Sequence, residues 1–189
     1  TCAENSPVPV VLHLDHCHDL AMIEQCAKSG WTSIMIDASE HPFEKNLELS
    51  LRVREIAERY NVGMEAELGQ IMGVEDDMVV DEADSVLTDP EDAQRFCAAL
   101  DLSAFACAVG TAHGYYRGEP VVDFDRIAAI NSRTRTPMAL HGGTGLSDDT
   151  FAQAIAHGAA KVNTSTNLKH VFIDSVDAYR AAKPKDYEP

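Results

Sequence analysis

Leu12-His13-Leu14-Asp15-His16 closes an apolar run, Val8–Leu14, with a carboxylate and an imidazole side by side. A buried strand that ends this way carries an acid and a potential metal ligand to its mouth. Neighbouring side chains point to opposite faces of a strand, so Asp15 and His16 serve one site only if the chain turns there. Two later apolar runs end alike, in Ala108-Val109-Gly110-Thr111-Ala112-His113-Gly114 and in Met138-Ala139-Leu140-His141-Gly142-Gly143. The rest of the chain reads as the support for these three strand-end histidines.

Outward from these stretches, strands alternate with helices. Strands are expected at Val8–Leu14, Thr32–Ile36, Val62–Leu68, Ala104–Val109, Pro137–Leu140 and Lys161–Asn163. The helices between them show the 3.6-residue apolar period: about Asp19–Ser29, a longer one carrying Leu49, Val53, Ile56 and Tyr60, one opened by Asp89-Pro90, one around Phe124–Ile130, and Asp148–His157. A last amphipathic helix gathers Leu168, Phe172, Val176 and Tyr179 near one face. Gly69 to about Leu87 does not read as regular structure and includes the acidic stretch Gly73-Val74-Glu75-Asp76-Asp77. Long loops in compact domains are often functional.

This alternation, with apolar strands buried on both sides, predicts a parallel sheet in a single α/β domain spanning residues 1–189. Asp15, His16, Asp37, Glu67, His113, His141 and Asn163 collect at strand ends, which favours a (β/α)8 TIM barrel, whose site is built at that face from different strands. A doubly wound sheet would concentrate its site at one switch point. Six strands fall short of eight, so the barrel is expected to be incomplete, with its first two strands absent.

Composition limits the partners. With 31 acidic and 15 basic residues the net charge is −16, which argues against nucleic acid and anionic membranes. No apolar run approaches the roughly 20 residues of a membrane span, and no signal peptide is visible. Five cysteines without a CxxC pair fit free thiols in a reducing, cytoplasmic setting.

His16, His113 and His141 each close a strand, and three protein ligands with an open position is how catalytic zinc is held. His13, His18, His41, His157 and His170 lack that placement and are read as surface or internally satisfied residues. Glu67, near a strand end, could orient or replace a ligand. Glu75 lies where a mobile acid–base group could swing over a substrate. Gly142-Gly143-Thr144-Gly145 runs into the helix capped by Ser147, and Asn163-Thr164-Ser165-Thr166 opens the last helix. Exposed N–H groups ahead of helices suit phosphate.

As a set, Leu12–His16, Met35-Ile36-Asp37-Ala38-Ser39, Glu65-Ala66-Glu67-Leu68-Gly69, Gly73–Asp77, Gly110–Gly114, Leu140–Gly145 and Lys161-Val162-Asn163 resemble the class II, zinc-dependent ketose-bisphosphate aldolases. Val74–Met78, Leu87-Thr88-Asp89-Pro90 and Thr111–Gly114 look most like the tagatose-1,6-bisphosphate branch; fructose-1,6-bisphosphate aldolases share most of the rest.

The resemblance implies that His16, His113 and His141 hold zinc, with Glu67 at or beside the metal. Asp15 and Glu75 are then acid–base groups. Gly114, Gly142, Gly143, Thr144, Asn163, Thr164, Ser165 and Thr166 are then the residues that bind dihydroxyacetone phosphate, with a monovalent cation such as Na+ nearby. The chain departs from the pattern at Met72-Gly73, where Gly-Gly is usual, at Cys17, and at Ser165, and it lacks the two opening strands and closing helices of the family.

The implied activity is reversible cleavage of tagatose- or fructose-1,6-bisphosphate to dihydroxyacetone phosphate and glyceraldehyde 3-phosphate by zinc-stabilised enediolate chemistry, in a homo-oligomer, dimer or tetramer. The rival readings are a non-catalytic subunit or degenerate fragment, and a metal-dependent barrel enzyme acting on another phosphorylated sugar, such as an isomerase.

Overall fold

The computed structural model describes residues 3–75, 78–80, 86–114, 116, 118 and 120–187, the side chains of Met72, Val74, Glu75 and residues 78–80 excepted. The elements begin β1 (His13–Cys17), α1 (Leu20–Lys28), β2 (Ser33–Ile36), α2 (Phe43–Tyr60) and β3 (Gly63–Leu68). The short strands β4 (Met72–Glu75) and β5 (Met78–Val80) come next, then α3 (Pro90–Ala99), β6 (Ala104–Cys107) and β7 (Ala112–His113). The chain continues through α4 (Phe124–Thr134), β8 (Met138–Leu140), α5 (Asp148–His157), β9 (Ala159–Val162) and α6 (Thr166–Ala182).

Local chemistry sets the helix ends. The side chain of Asp19 accepts from Ala21 N, that of Asp89 from Glu91 N and Asp92 N, that of Asp123 from Arg126 N, and that of Ser147 from Thr150 N. Each satisfies backbone donors that a first helical turn leaves open. Pro90 follows Asp89 at the first helical position, where its missing N–H costs nothing.

Six strands form one parallel sheet in the order β1-β2-β3-β6-β8-β9. Spatial neighbours follow chain order with no reversal, so among the described strands there is no switch point of the kind an open doubly wound sheet has. Right-handed crossovers then put the connecting helices on one side, and successive helices from α1 to α5 touch. The result is a parallel α/β half-barrel, six strands as the sequence predicts. Among the described residues, no helix is long and apolar enough to cross a membrane.

Side-chain alternation divides the sheet into two unlike faces. Outward, Ile34, Ile36, Met64, Ala66, Phe105, Met138 and Leu140 pack against Ile23, Val53, Phe96, Ile127 and Ile130 of the helices. Inward, Met35, Ala104, Ala106 and Ala139 form a small separate cluster, and Asp37, Glu65, Glu67 and His141 are buried as well. The strands are therefore buried on both faces as expected, apolar throughout on the outer face and mixed apolar and charged on the inner one.

The first strand starts at His13 rather than Val8. Its parallel partner begins at Ser33, opposite His13, so among the described residues Val8, Val10 and Val11 have no strand beside them, and they stay exposed. Gly69 to Leu87 is also more regular than expected. β5 pairs antiparallel with β4, and β4 pairs parallel with β7, with Gly73 opposite His113. Gly73 has φ +106°, and a Cβ there would collide with the His113 backbone. Asp76 and Asp77 lie outside the described residues. The apolar stripe of α6 does not face inward: none of its residues is buried, and Leu168 and Phe172 are 67% and 66% exposed.

Phe96 anchors the outer core, with the rings of Phe43 and Phe105 each 6.0 Å away, centroid to centroid. Phe96→Ala should lower unfolding free energy by about 3–5 kcal/mol, measured by urea titration with the circular dichroism of the helices as readout.

Candidate metal centre and phosphate recess

β1 meets the requirement for a turn with a bulge. Its register against β2 shifts between Leu14 and Cys17, and His16 has φ +40°, a left-handed conformation uncommon for a residue with a Cβ. A bulge re-aims side chains. Here it brings Asp15 and His16, neighbours in sequence, to one centre.

The three histidines converge there. Ring centroids lie 5.0 Å apart for His16–His113, 4.7 Å for His16–His141 and 5.9 Å for His113–His141. One ring nitrogen of each falls within 4.8 Å of the others. His16 Nε2 and His141 Nδ1 face each other at 2.8 Å. Their outer nitrogens are tied to carboxylates: His16 Nδ1 to Asp37 Oδ2 at 2.7 Å, and His141 Nε2 to Glu65 Oε1 at 2.8 Å. Asp37 is fixed in turn by the backbone N–H and hydroxyl of Ser39. Glu67 Oε2 approaches His141 Nδ1 to 3.9 Å. The side chain of Glu75 lies outside the described residues; its backbone ends β4, which pairs with the His113 strand.

Burial disfavours charge on His16, yet its bond to Asp37 and the carboxylates of Glu67, Asp37 and Asp15 push its pKa up to about 10. For His141, burial dominates and pulls the pKa down. Burial would raise Asp15, but the hydrogen bond to His13 and the nearby His141, His16 and Lys161 hold it well below the usual carboxylate range. Charge is favoured on His16 and disfavoured on His141, and each ring is braced by a buried carboxylate. A divalent cation suits the same place. Neutral imidazoles with their second nitrogen held by a carboxylate are the usual ligands of zinc, so the donor set fits such an ion.

Sequence reasoning put Asp37 at a strand end without a role, and left Glu65 and Lys161 unassigned. Glu65, not Glu67, bonds His141. Lys161 Nζ lies 2.5 Å from Glu65 Oε2. His13, read as ordinary, bonds Ser33 Oγ at 2.7 Å and lies 3.5 Å from Asp15 and 3.6 Å from Glu65. Asn163 Nδ2 donates to both Asp15 oxygens, at 3.2 and 3.3 Å. Period-two spacing along β3 and β9 was the available signal, since it puts Glu65 with Glu67 and Lys161 with Asn163.

Beside the histidines is a small recess lined by His113, Gly114, Gly142, Gly143, Thr144, Asn163, Ser165 and Thr166. It brings together every residue expected to bind phosphate except Thr164, which does not line it. Ser165 precedes α6 without capping it by its side chain, and the N-terminal end of a helix suits an anion. Thr144 Oγ1 accepts from Asn167 N at 3.2 Å, holding the glycine loop against α6. Gly142, at φ +72°, passes so close to the Ala112 backbone that a Cβ would clash.

Tyr116 fastens the two histidine loops together. Its hydroxyl accepts from Ala112 N at 3.0 Å and donates to Gly142 O at 2.9 Å. Tyr116→Phe leaves both backbone groups without that partner and should cost about 1–3 kcal/mol, seen as a lowered urea midpoint with unchanged m-value.

The family model described as fructose-bisphosphate aldolase class-II matches residues 1–189. The chain is 41% identical over 182 residues to the D-tagatose-1,6-bisphosphate aldolase subunit GatY of Klebsiella oxytoca, covering 96% of this chain. It is 39% identical to the fructose-bisphosphate aldolase of Helicobacter pylori, covering 93% of this chain. It spans 64% of the length of each of these relatives. Among solved structures, the YdjI aldolase from Escherichia coli K12 superposes with a TM-score of 0.82 at 30% identity, over 94% of this chain and 62% of that one.

Proposed function

The chain belongs to the class II fructose-bisphosphate aldolase family, and from that premise we propose that it serves as a metal-dependent aldolase. The reaction is reversible cleavage of tagatose-1,6-bisphosphate or fructose-1,6-bisphosphate to dihydroxyacetone phosphate and glyceraldehyde 3-phosphate. The observation that carries this reading is the meeting of three histidine ring nitrogens within 4.8 Å, two of them braced by carboxylates, beside a recess made of glycines and hydroxyls.

In this reading His16, His113 and His141 hold a divalent ion, zinc by donor chemistry, with Glu67 beside it. Bound there, such an ion supplies Lewis-acid polarisation of a substrate carbonyl. Asp15 takes the proton of the C4 hydroxyl as the C3–C4 bond breaks. Its lowered pKa keeps it ionised for that task, and Asn163 fixes its direction. Glu75 returns a proton to the carbon left by cleavage. Gly114, Gly142–Thr144 and Asn163–Thr166 seat the phosphate of the ketone half, with a monovalent cation such as Na+ alongside. In the same reading residues 1–189 form a single, partial aldolase-type barrel domain, cytoplasmic and acting as a homo-oligomer.

Protein purified without chelator should contain about one equivalent of zinc by atomic emission, and His113→Ala should lose it; a variant that keeps tight zinc removes this ligand set. Asp15→Ala should keep zinc and lower kcat by roughly 10²–10⁴ in a coupled assay supplied with each bisphosphate in turn. Parent-like turnover would remove Asp15 from the chemistry, and turnover of one epimer alone would assign the substrate.

A further inference from the structure

We infer that Lys161 is a positioning residue for the metal centre, acting through Glu65 to fix the orientation and tautomer of His141. Lys161 is on β9 and Glu65 on β3, with β6 and β8 between them. On the inner face those intervening strands carry only Ala104, Ala106 and Ala139. Nothing bulky stands in the way, and the lysine reaches Glu65 Oε2 at 2.5 Å. The other oxygen of the same carboxylate meets His141 Nε2 at 2.8 Å.

The lysine therefore holds one end of a carboxylate whose other end requires a proton on His141 Nε2. That leaves His141 Nδ1 as the lone-pair nitrogen, the one aimed at His16 Nε2. Without Lys161 the Glu65 carboxylate, 2% exposed, would lose its only cationic partner among the described contacts and could rotate away from the ring. The same lysine explains a second group of donors. His13, Asp15 and Glu65 also place ligand atoms within 4.8 Å of one another, yet Lys161 Nζ lies 3.4 Å from His13 Nε2 as well as against Glu65. The ammonium is already the cation of that group.

The inference rests on the metal reading of the three histidines. A parent protein that binds no zinc removes that reading; the comparisons below, made in a parent that does bind it, test Lys161 alone. Zinc affinity is measured by competition with a chromophoric chelator, and the His141 tautomer by long-range ¹⁵N–¹H correlation in metal-free, ¹⁵N-histidine-labelled protein. Lys161→Met should weaken zinc roughly 10–100-fold, the usual effect of removing an outer partner of a metal ligand, and should abolish the single Nε2–H signature of His141. Lys161→Arg should restore both.

In a Glu65→Gln background, Lys161→Met should add less than about threefold, because residues acting in series do not add. Parent-like zinc affinity in Lys161→Met, or a full further loss in the Glu65→Gln background, would overturn the inference. Should Lys161→Met alone fail to fold, the comparison of Glu65→Gln with the double variant, which buries no unbalanced charge, decides by the same criterion.

Discussion

The site depends on one break in strand geometry. A regular β1 would send Asp15 and His16 to opposite faces of the sheet, one toward the helices and one toward the interior. The bulge between Leu14 and Cys17, with His16 at φ +40°, removes that conflict. A left-handed residue other than glycine costs on the order of 1–2 kcal/mol, and the bonds His16 makes to Asp37 and to His141 are what hold it there. The acid proposed to handle a proton and the imidazole proposed as a ligand are thus coupled by covalent adjacency, and moving one moves the other.

Around that bulge the inner face of the half-barrel sets buried charge beside a small apolar cluster. Asp37, Glu65 and Glu67 are each 2% exposed. Isolated carboxylates would not be kept ionised at such burial. They are tolerated because each meets a histidine, with a lysine at Glu65 and the backbone N–H and hydroxyl of Ser39 at Asp37 besides, and the outer face carries most of the apolar packing. The two faces divide the labour: helices and strands bond through Ile, Met and Phe on one side, and the polar network is free to be organised by function on the other.

Much of this was legible in the sequence. Strand-end histidines, the Gly142–Thr144 turn and the Asn163–Thr166 stretch announce themselves because they sit where an apolar run stops, and linear order alone places such stops at the mouth of a parallel sheet. The Lys161–Glu65 tie was not legible, since it joins strands separated by two others and depends on the absence of side-chain volume between them. β4 and β5 escaped notice because strands this short, interrupted by Gly73, carry too little period to separate from a loop. The apolar stripe of α6 was legible as a stripe; its exposure was not, because periodicity reports that a face is apolar, not whether something covers it.

Ala104, Ala106 and Ala139 donate no proton and bind nothing, yet they act as an aperture. Their methyl groups set how far a charge on one side of the half-barrel can see across to the other. The wiring of the candidate metal centre is thus written partly in side-chain volume at positions that carry no reactive group, and an inventory of reactive residues would omit the three positions that decide which of those residues can meet.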